Sequence, residues 1–270
     1  MSSFARSWLA LREPYDRAAR SGALADRFAR ALGSAPRLTD LGCGTGANLR
    51  YLGPRLAQGQ HWLCLDHDSD LLVEADAALG AWRSGTGWQG SVRLEVCDLA
   101  ESLELLAQDG AVTASAFLDL TSAAWLDRLA ECCRGTPLLI ALSFDGRWSW
   151  QPGLPEDDAV HARFLRHQRT DKGFGPALGP DAADHLAGRL EALGHKVATA
   201  RSDWRLGPTD RPLLEAVLDG AIAAAAAVER DGQLDLWAEQ RRRQLAEDEL
   251  RLTVGHVDLL ALPPREREAA

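Results

Sequence analysis

The sequence predicts an α/β fold: one doubly wound sheet of about seven strands, mostly parallel, with an antiparallel closing strand. Three observations predict it. Short apolar runs alternate with amphipathic ones from Leu38 to Phe144. A glycine-rich turn, Gly42-Cys43-Gly44-Thr45-Gly46, follows the first of these runs. Four aspartates, Asp66, Asp98, Asp119 and Asp145, fall at the ends of the next four. Such alternation implies parallel strands joined by right-handed crossovers. In open sheets of this kind, ligands bind beyond the carboxyl ends of the strands.

The elements follow in order. Residues 7–32 read as helical. Residues 38–41 form a strand, and a helix begins at about Ala47. A second strand over 60–65 ends at Asp66, and Ser69 caps a helix over 70–82. Glycine and serine make 83–90 a loop. A third strand over 92–97 ends at Asp98, with a short helix over 101–108. The fourth strand, 112–118, carries Asp119 at its tip. A helix over 122–134 leads to a fifth strand, 137–144, ending at Asp145. Residues 146–180 hold prolines, two tryptophans and a basic cluster, and read as a lid or binding loop. Beyond them come a helix over 181–193 stopped by Gly194, a strand over 196–200, helices over 213–230 and 234–249, and a closing strand over 250–262. The chain reads as one domain, 1–270: a helical segment (1–33), a ligand-binding core (34–145), the lid (146–180) and the rest of the sheet with inserted helices (181–270).

Composition narrows the function. The chain has 270 residues and an ordinary 46% hydrophobic share. A net charge of −9 argues against a general nucleic-acid binder. No apolar run is long enough to span a bilayer, and the first residues lack the order of an export signal. The expectation is a cytoplasmic protein with no membrane partner. The 5 cysteines form no C-x-x-C pair and read as reduced thiols. No histidine or cysteine spacing points to a metal.

Two readings fit the turn. Gly42-x-Gly44-x-x-Ala47 matches the dinucleotide fingerprint, so a nicotinamide-dependent oxidoreductase is one. Asp40, two residues before Gly42, favours the other: its carboxylate repels a pyrophosphate and suits a cationic ligand. Asp40-x-Gly42-x-Gly44-x-Gly46, with Asp66 and Asp98 closing the next two strands, resembles the class I S-adenosylmethionine-dependent methyltransferases, a Rossmann-like family. The resemblance covers about 34–144 well and 181–262 more loosely. It implies S-adenosyl-L-methionine as cofactor, with no metal, and S-adenosyl-L-homocysteine as product. It further implies a cofactor site of Asp40, Gly42, Cys43, Gly44, Gly46, Asp66, His67, Asp98, Leu99 and Asp119. Asp66 takes the ribose hydroxyls and Asp98 lies near the adenine. Family members often place an N-terminal helix over the methionine end, for which Tyr15 and Arg20 are candidates. A catalytically inactive cofactor-binding scaffold with the same turn is a third reading.

The acceptor is less legible. The position after the fourth strand reads Leu118-Asp119-Leu120-Thr121, which departs from the Asn/Asp-Pro-Pro-aromatic motif of the family's adenine and glutamine methylators. The expectation is an O or N nucleophile on a small anionic metabolite. Arg163, Arg169 and Lys172 in the basic cluster would bind its anion, with Asp145, Trp148 and Trp150 lining the pocket. His167 is the candidate general base.

Overall fold

A computed structural model of the protein describes residues 6–103 and 110–264. One sheet of eight strands runs through it. Its parallel part comprises β1 (Arg37–Leu41), β2 (His61–Asp66), β3 (Ser91–Val96), β4 (Ala111–Ser115) and the first half of β5 (Leu138–Gln151). The closing strand β8 (Arg251–Leu262) pairs antiparallel with β5 and with β6 (Lys196–Arg201). The order is β3-β2-β1-β4-β5-β8-β6, and β7 (Trp204–Leu206) pairs with the start of β8. The Rossmann-like sheet and its antiparallel closing strand are as the sequence predicts. The eighth strand was not, since three residues carry too little alternation to show.

Helices cover both faces. α2 (Gly22–Leu32), α3 (Ala47–Leu52) and α4 (Ser69–Thr86) lie on one; α5 (Ala123–Cys132) and α7 (Ala182–Ala192) on the other. Neighbouring strand residues therefore serve opposite cores. Leu139 and Leu260 pack with Phe28, Leu49 and Leu52. Ile140 and Leu259 pack with Trp125, Leu126 and Leu186. Burial on both faces is why these strands read as unbroken apolar runs. A third cluster joins α6 (Asp157–Gln168), α8 (Arg211–Val228) and α9 (Gly232–Ala246) to the outer ends of β5, β7 and β8. The remaining helix, α1 (Arg6–Ala19), buries no residue of its own and lies over the carboxyl ends of the strands.

Several boundaries differ from the sequence reading, each for a local reason. The helical N-terminus is two helices, because the Ser21 side chain accepts the Leu24 N–H and starts α2. Asp68, not Ser69, caps α4, its carboxylate accepting from the N–H groups of Asp70 and Leu71. That helix continues to Thr86 and stops at Gly87 in the left-handed region, so much of the expected 83–90 loop is helical. β4 ends at Ser115, and Leu118–Leu120, with Asp119, forms a short 3-10 turn. β5 does not end before Asp145. It runs to Gln151 because β8 pairs with it through two register shifts, so Asp145, Trp148 and Trp150 are strand residues. The helix expected over 101–108 falls largely outside the described residues. No helix among the described residues is long and apolar enough to cross a membrane. None of the five cysteines forms a disulfide.

Candidate functional site

The sheet order reverses at β1, which has β2 on one side and β4 on the other. A cavity lies beyond the carboxyl ends there, where an open α/β sheet offers a crevice. Its floor is the glycine turn with Asn48 and Tyr51. One wall is Asp66, His67 and Leu71, and another is Ser115–Phe117 with Leu120. A face of α1 supplies Leu9, Arg12, Glu13, Asp16 and Arg17, with Arg20 just beyond its end; Lys172 and Phe174 come from the segment after α6.

The turn requires glycine on steric grounds. Gly42 and Gly44 have φ of +61° and +51°, where a Cβ is disfavoured. A Cβ on Gly42 would also stand 2.6 Å from Cδ2 of Phe117. The turn is closed by its own hydrogen bonds. The Cys43 N–H donates to the Leu65 carbonyl at 3.0 Å, and the Gly46 N–H to the Cys43 carbonyl at 2.8 Å. The Gly44 N–H donates to Asp66 Oδ2 at 2.8 Å. Ala116, on the facing wall, has φ +53°, a region that costs a non-glycine residue about 1–3 kcal/mol.

Asp66 ends β2 and is 5% exposed. Its Oδ2 takes the Gly44 N–H and its Oδ1 the Asp68 N–H at 3.0 Å. An ionised carboxylate offers about four acceptor positions. His67 Nδ1 also stands 3.4 Å from Oδ1, so the capacity left for a ligand is mainly on Oδ2.

Arg20 lines the same cavity and is 8% exposed. Its Nη1 donates to Asn48 Oδ1 at 2.8 Å. Its guanidinium sits 4.0 Å from the centre of the Tyr51 ring. Its Nε and Nη2 are buried and find no partner among the described residues. Burial lowers its pKa, opposed by Asp258, Tyr51, Asp40 and Asp16. Behind the wall, fully buried Asp40 accepts from Asn48 Nδ2 at 2.6 Å. Burial pushes Asp40 up to about 7, against the Asn48 donor and Arg20, with Asp66 adding to the rise.

α1 is fastened over the cavity by polar contacts. Arg50 makes two bonds to Glu13, at 2.9 and 2.5 Å, and a third to the Thr45 carbonyl at 2.6 Å. Arg12 pairs with Asp16 at 2.8 Å, and Trp204 Nε1 donates to the same carboxylate at 3.0 Å. Tyr15 points away, to Asp210 at 3.2 Å.

The residues singled out from sequence divide into two groups. Gly42, Cys43, Gly44, Asp66, His67 and Lys172 line the cavity together. Asp40 and Gly46 support the turn from behind, Gly46 as the left-handed N-cap of α3. Asp98 is exposed and accepts the Ala100 N–H at 2.9 Å, and Leu99 is core. Asp119 lies in the turn after β4, where burial raises its pKa to about 6, opposed by backbone donors and Arg12.

The rest are engaged elsewhere. Asp145 holds Arg147. Trp148 is stacked on His161 at 4.7 Å and on Phe164 at 4.8 Å, and Trp150 packs on Trp237. Arg163 makes a two-pronged pair with Asp231, at 2.9 and 2.7 Å, and Arg169 bonds Asp181 at 2.7 Å. His167 lies outside the cavity wall formed by the described residues. Burial lowers its pKa, and Lys172 lowers it further. Of the 146–180 segment, only Lys172 and Phe174 reach the cavity.

Sequence reasoning missed Arg12, Asn48, Tyr51 and Phe117. Asn48 and Tyr51 follow the glycine turn, Phe117 precedes Asp119, and Arg12 lies in the N-terminal helical stretch. Nothing in their spacing separates a wall residue from a core or surface one. Among the described residues, no group of three or more histidine, cysteine or acidic side chains could hold a metal.

No family model matches the chain, and no curated protein matches it. Solved structures resemble it in fold. A methyltransferase from Geobacter sulfurreducens, solved with S-adenosyl-L-homocysteine, is 17% identical with a TM-score of 0.49, over 98% of this chain and 100% of that one. The cyclopropane synthase MmaA2 from Mycobacterium tuberculosis is 14% identical with a TM-score of 0.46, over 88% and 83%. A geranyl diphosphate C-methyltransferase from Streptomyces coelicolor is 12% identical with a TM-score of 0.46, over 90% and 80%.

Proposed function

We propose that the protein transfers a methyl group from S-adenosyl-L-methionine to a small molecule bearing an anionic group, at an oxygen or nitrogen. The observation that carries this reading is the polarity of one cavity. A carboxylate with spare acceptor capacity, Asp66, lines the same cavity as an arginine with unpartnered donors, Arg20. Asp66 would hold the two ribose hydroxyls, each bond to a charged group contributing about 1.5–3 kcal/mol. Arg20 would hold the carboxylate of the amino-acid arm, a match of planar fork to planar anion. The cofactor supplies an electrophilic methyl on a sulfonium. The chain's part is to orient and to exclude water, and alignment alone contributes much of such an acceleration.

The state of the turn weighs against the dinucleotide reading. A pyrophosphate site needs free backbone N–H groups. Here those of Cys43, Gly44 and Gly46 already have acceptors.

Lys172 supports the anionic acceptor. It lines the cavity and bonds the Thr170 hydroxyl at 2.9 Å, with no carboxylate partner among the described residues. Burial lowers its pKa. Phe117 and Phe174 meet edge to face beside it, 5.5 Å between centres, and give an apolar wall.

A thermal-shift panel tests the class. S-adenosyl-L-homocysteine at 100 times its Kd should stabilise the fold by about 2.7 kcal/mol. A shift with NAD(P)H and none with the homocysteine nucleoside would move the reading to an oxidoreductase.

A further inference from the structure

Asn48 is buried, at 4% exposure, in the first turn of α3. Its amide orientation is dictated by its neighbours. The Thr113 hydroxyl donates to the Leu139 carbonyl at 2.7 Å, so Thr113 Oγ1 is left to accept. Asp40 presents its Oδ1 beside it, a carboxyl oxygen that accepts whether or not its partner oxygen carries a proton. Both face one end of the amide, at 3.1 and 2.6 Å, which must therefore be the NH2 end. The carbonyl end is turned outward and receives Arg20 Nη1 at 2.8 Å.

That contact fixes which edge of the guanidinium is free. Nη1 is taken, and the flat face rests on Tyr51 at 4.0 Å. Nε and Nη2 remain, both buried and unpartnered among the described residues. They form the edge that takes a carboxylate side-on. Buried donors without acceptors are costly, and a ligand anion that reached this edge of a cavity-lining arginine would relieve the cost.

We propose that Asn48 positions Arg20, and that this pair makes the cavity select nucleosides bearing an amino-acid carboxylate over those without one. The inference rests on the methyl-transfer reading. It goes further in naming a residue that touches no reacting atom and a discrimination that residue produces.

Calorimetry with two ligands tests it. S-adenosyl-L-homocysteine carries the amino-acid arm, whereas 5′-methylthioadenosine has the same nucleoside and thioether without it. Asn48→Leu should weaken the first about 10- to 100-fold, the value of a hydrogen bond to a charged group, and leave the second within about twofold. Asn48→Ala, a smaller change that also removes the Arg20 acceptor, should give the same selective loss should the leucine variant not fold. Because Asn48 acts through Arg20, the double variant Asn48→Leu/Arg20→Gln should lose no more than Arg20→Gln alone. Equal losses for both ligands, or additive losses in the double variant, overturn the role of Asn48 and leave the methyl-transfer reading standing. Wild-type protein that binds neither ligand overturns both.

Discussion

The two halves of the molecule use charge in opposite ways. Around the glycine turn, charged groups keep capacity in reserve: Asp66 has acceptor positions to spare and Arg20 has an unpartnered edge. In the half built on α6, α8 and α9, arginines are consumed by the fold. Arg163 is spent on Asp231, and Arg147 on Asp145 and Asp203. Arg241, fully buried, pairs with Asp157 and donates to the Pro152 carbonyl at 2.6 Å. A basic cluster is therefore no guide to an anion site until its partners are known. Arg241 Nε is also buried and unpartnered among the described residues, so unspent capacity marks the candidate site only where, as with Arg20 and Asp66, its owner lines the cavity.

The sharpest break of this comparison is Arg241→Ala. Removing one member of a buried pair costs about 3–5 kcal/mol. Urea unfolding should show that loss, while the affinity of the surviving fold for S-adenosyl-L-homocysteine stays at the wild-type value. A large change in affinity would mean that the two halves are not energetically separate.

The halves also differ in their response to pH. His256, on β8, faces Arg12, Asp203 and Arg147. Burial first, and Arg12 next, hold it down to about 3 from its usual 6.5. It is neutral in the fold, so stability is present above about 6.5 and is lost as pH falls towards about 3. Asp40 has the opposite sign. Raised from 3.8 to about 7, it favours the fold most at low pH, and that contribution is lost as pH rises from about 4 to about 7. Each shift corresponds to roughly 4–5 kcal/mol at most, at about 1.4 kcal/mol per unit. Melting curves from pH 3 to 8 should show His256→Gln flattening the acid limb and Asp40→Asn the limb between pH 4 and 7. Parallel curves for wild type and both variants would discard this assignment.

Asp66→Ala should weaken S-adenosyl-L-homocysteine by about 2–4 kcal/mol, from lost bonds to a charged acceptor. Titration calorimetry reads it directly, and unchanged affinity would take Asp66 out of the site. The smallest effect belongs to Arg169→Ala, whose partner Asp181 is 63% exposed. An exposed pair contributes about 0–1 kcal/mol, so its melting curve should nearly overlay the wild type.

The sequence showed the sheet and the turn well because their signals are local. Leu38–Leu41 and the glycines after it are contiguous, and each carries its own steric reason. Asp66 was legible because it closes a strand beside that turn. Trp150 and Arg163 were not. Whether a ring or a guanidinium faces a ligand depends on Trp237 and Asp231, which stand far along the chain. The continuation of β5 past Asp145 was hidden for the same reason, since β8 supplies its partner strand.

By itself, then, the sequence determined the layers, the strand that carries the turn and the acid that closes the next. Periodicity and glycine stereochemistry are properties of neighbouring residues. Only the tertiary structure decided which polar groups stay unsatisfied. A hydrogen bond such as Asn48 to Arg20, or an ion pair such as Arg163 to Asp231, joins residues that folding alone brings within reach.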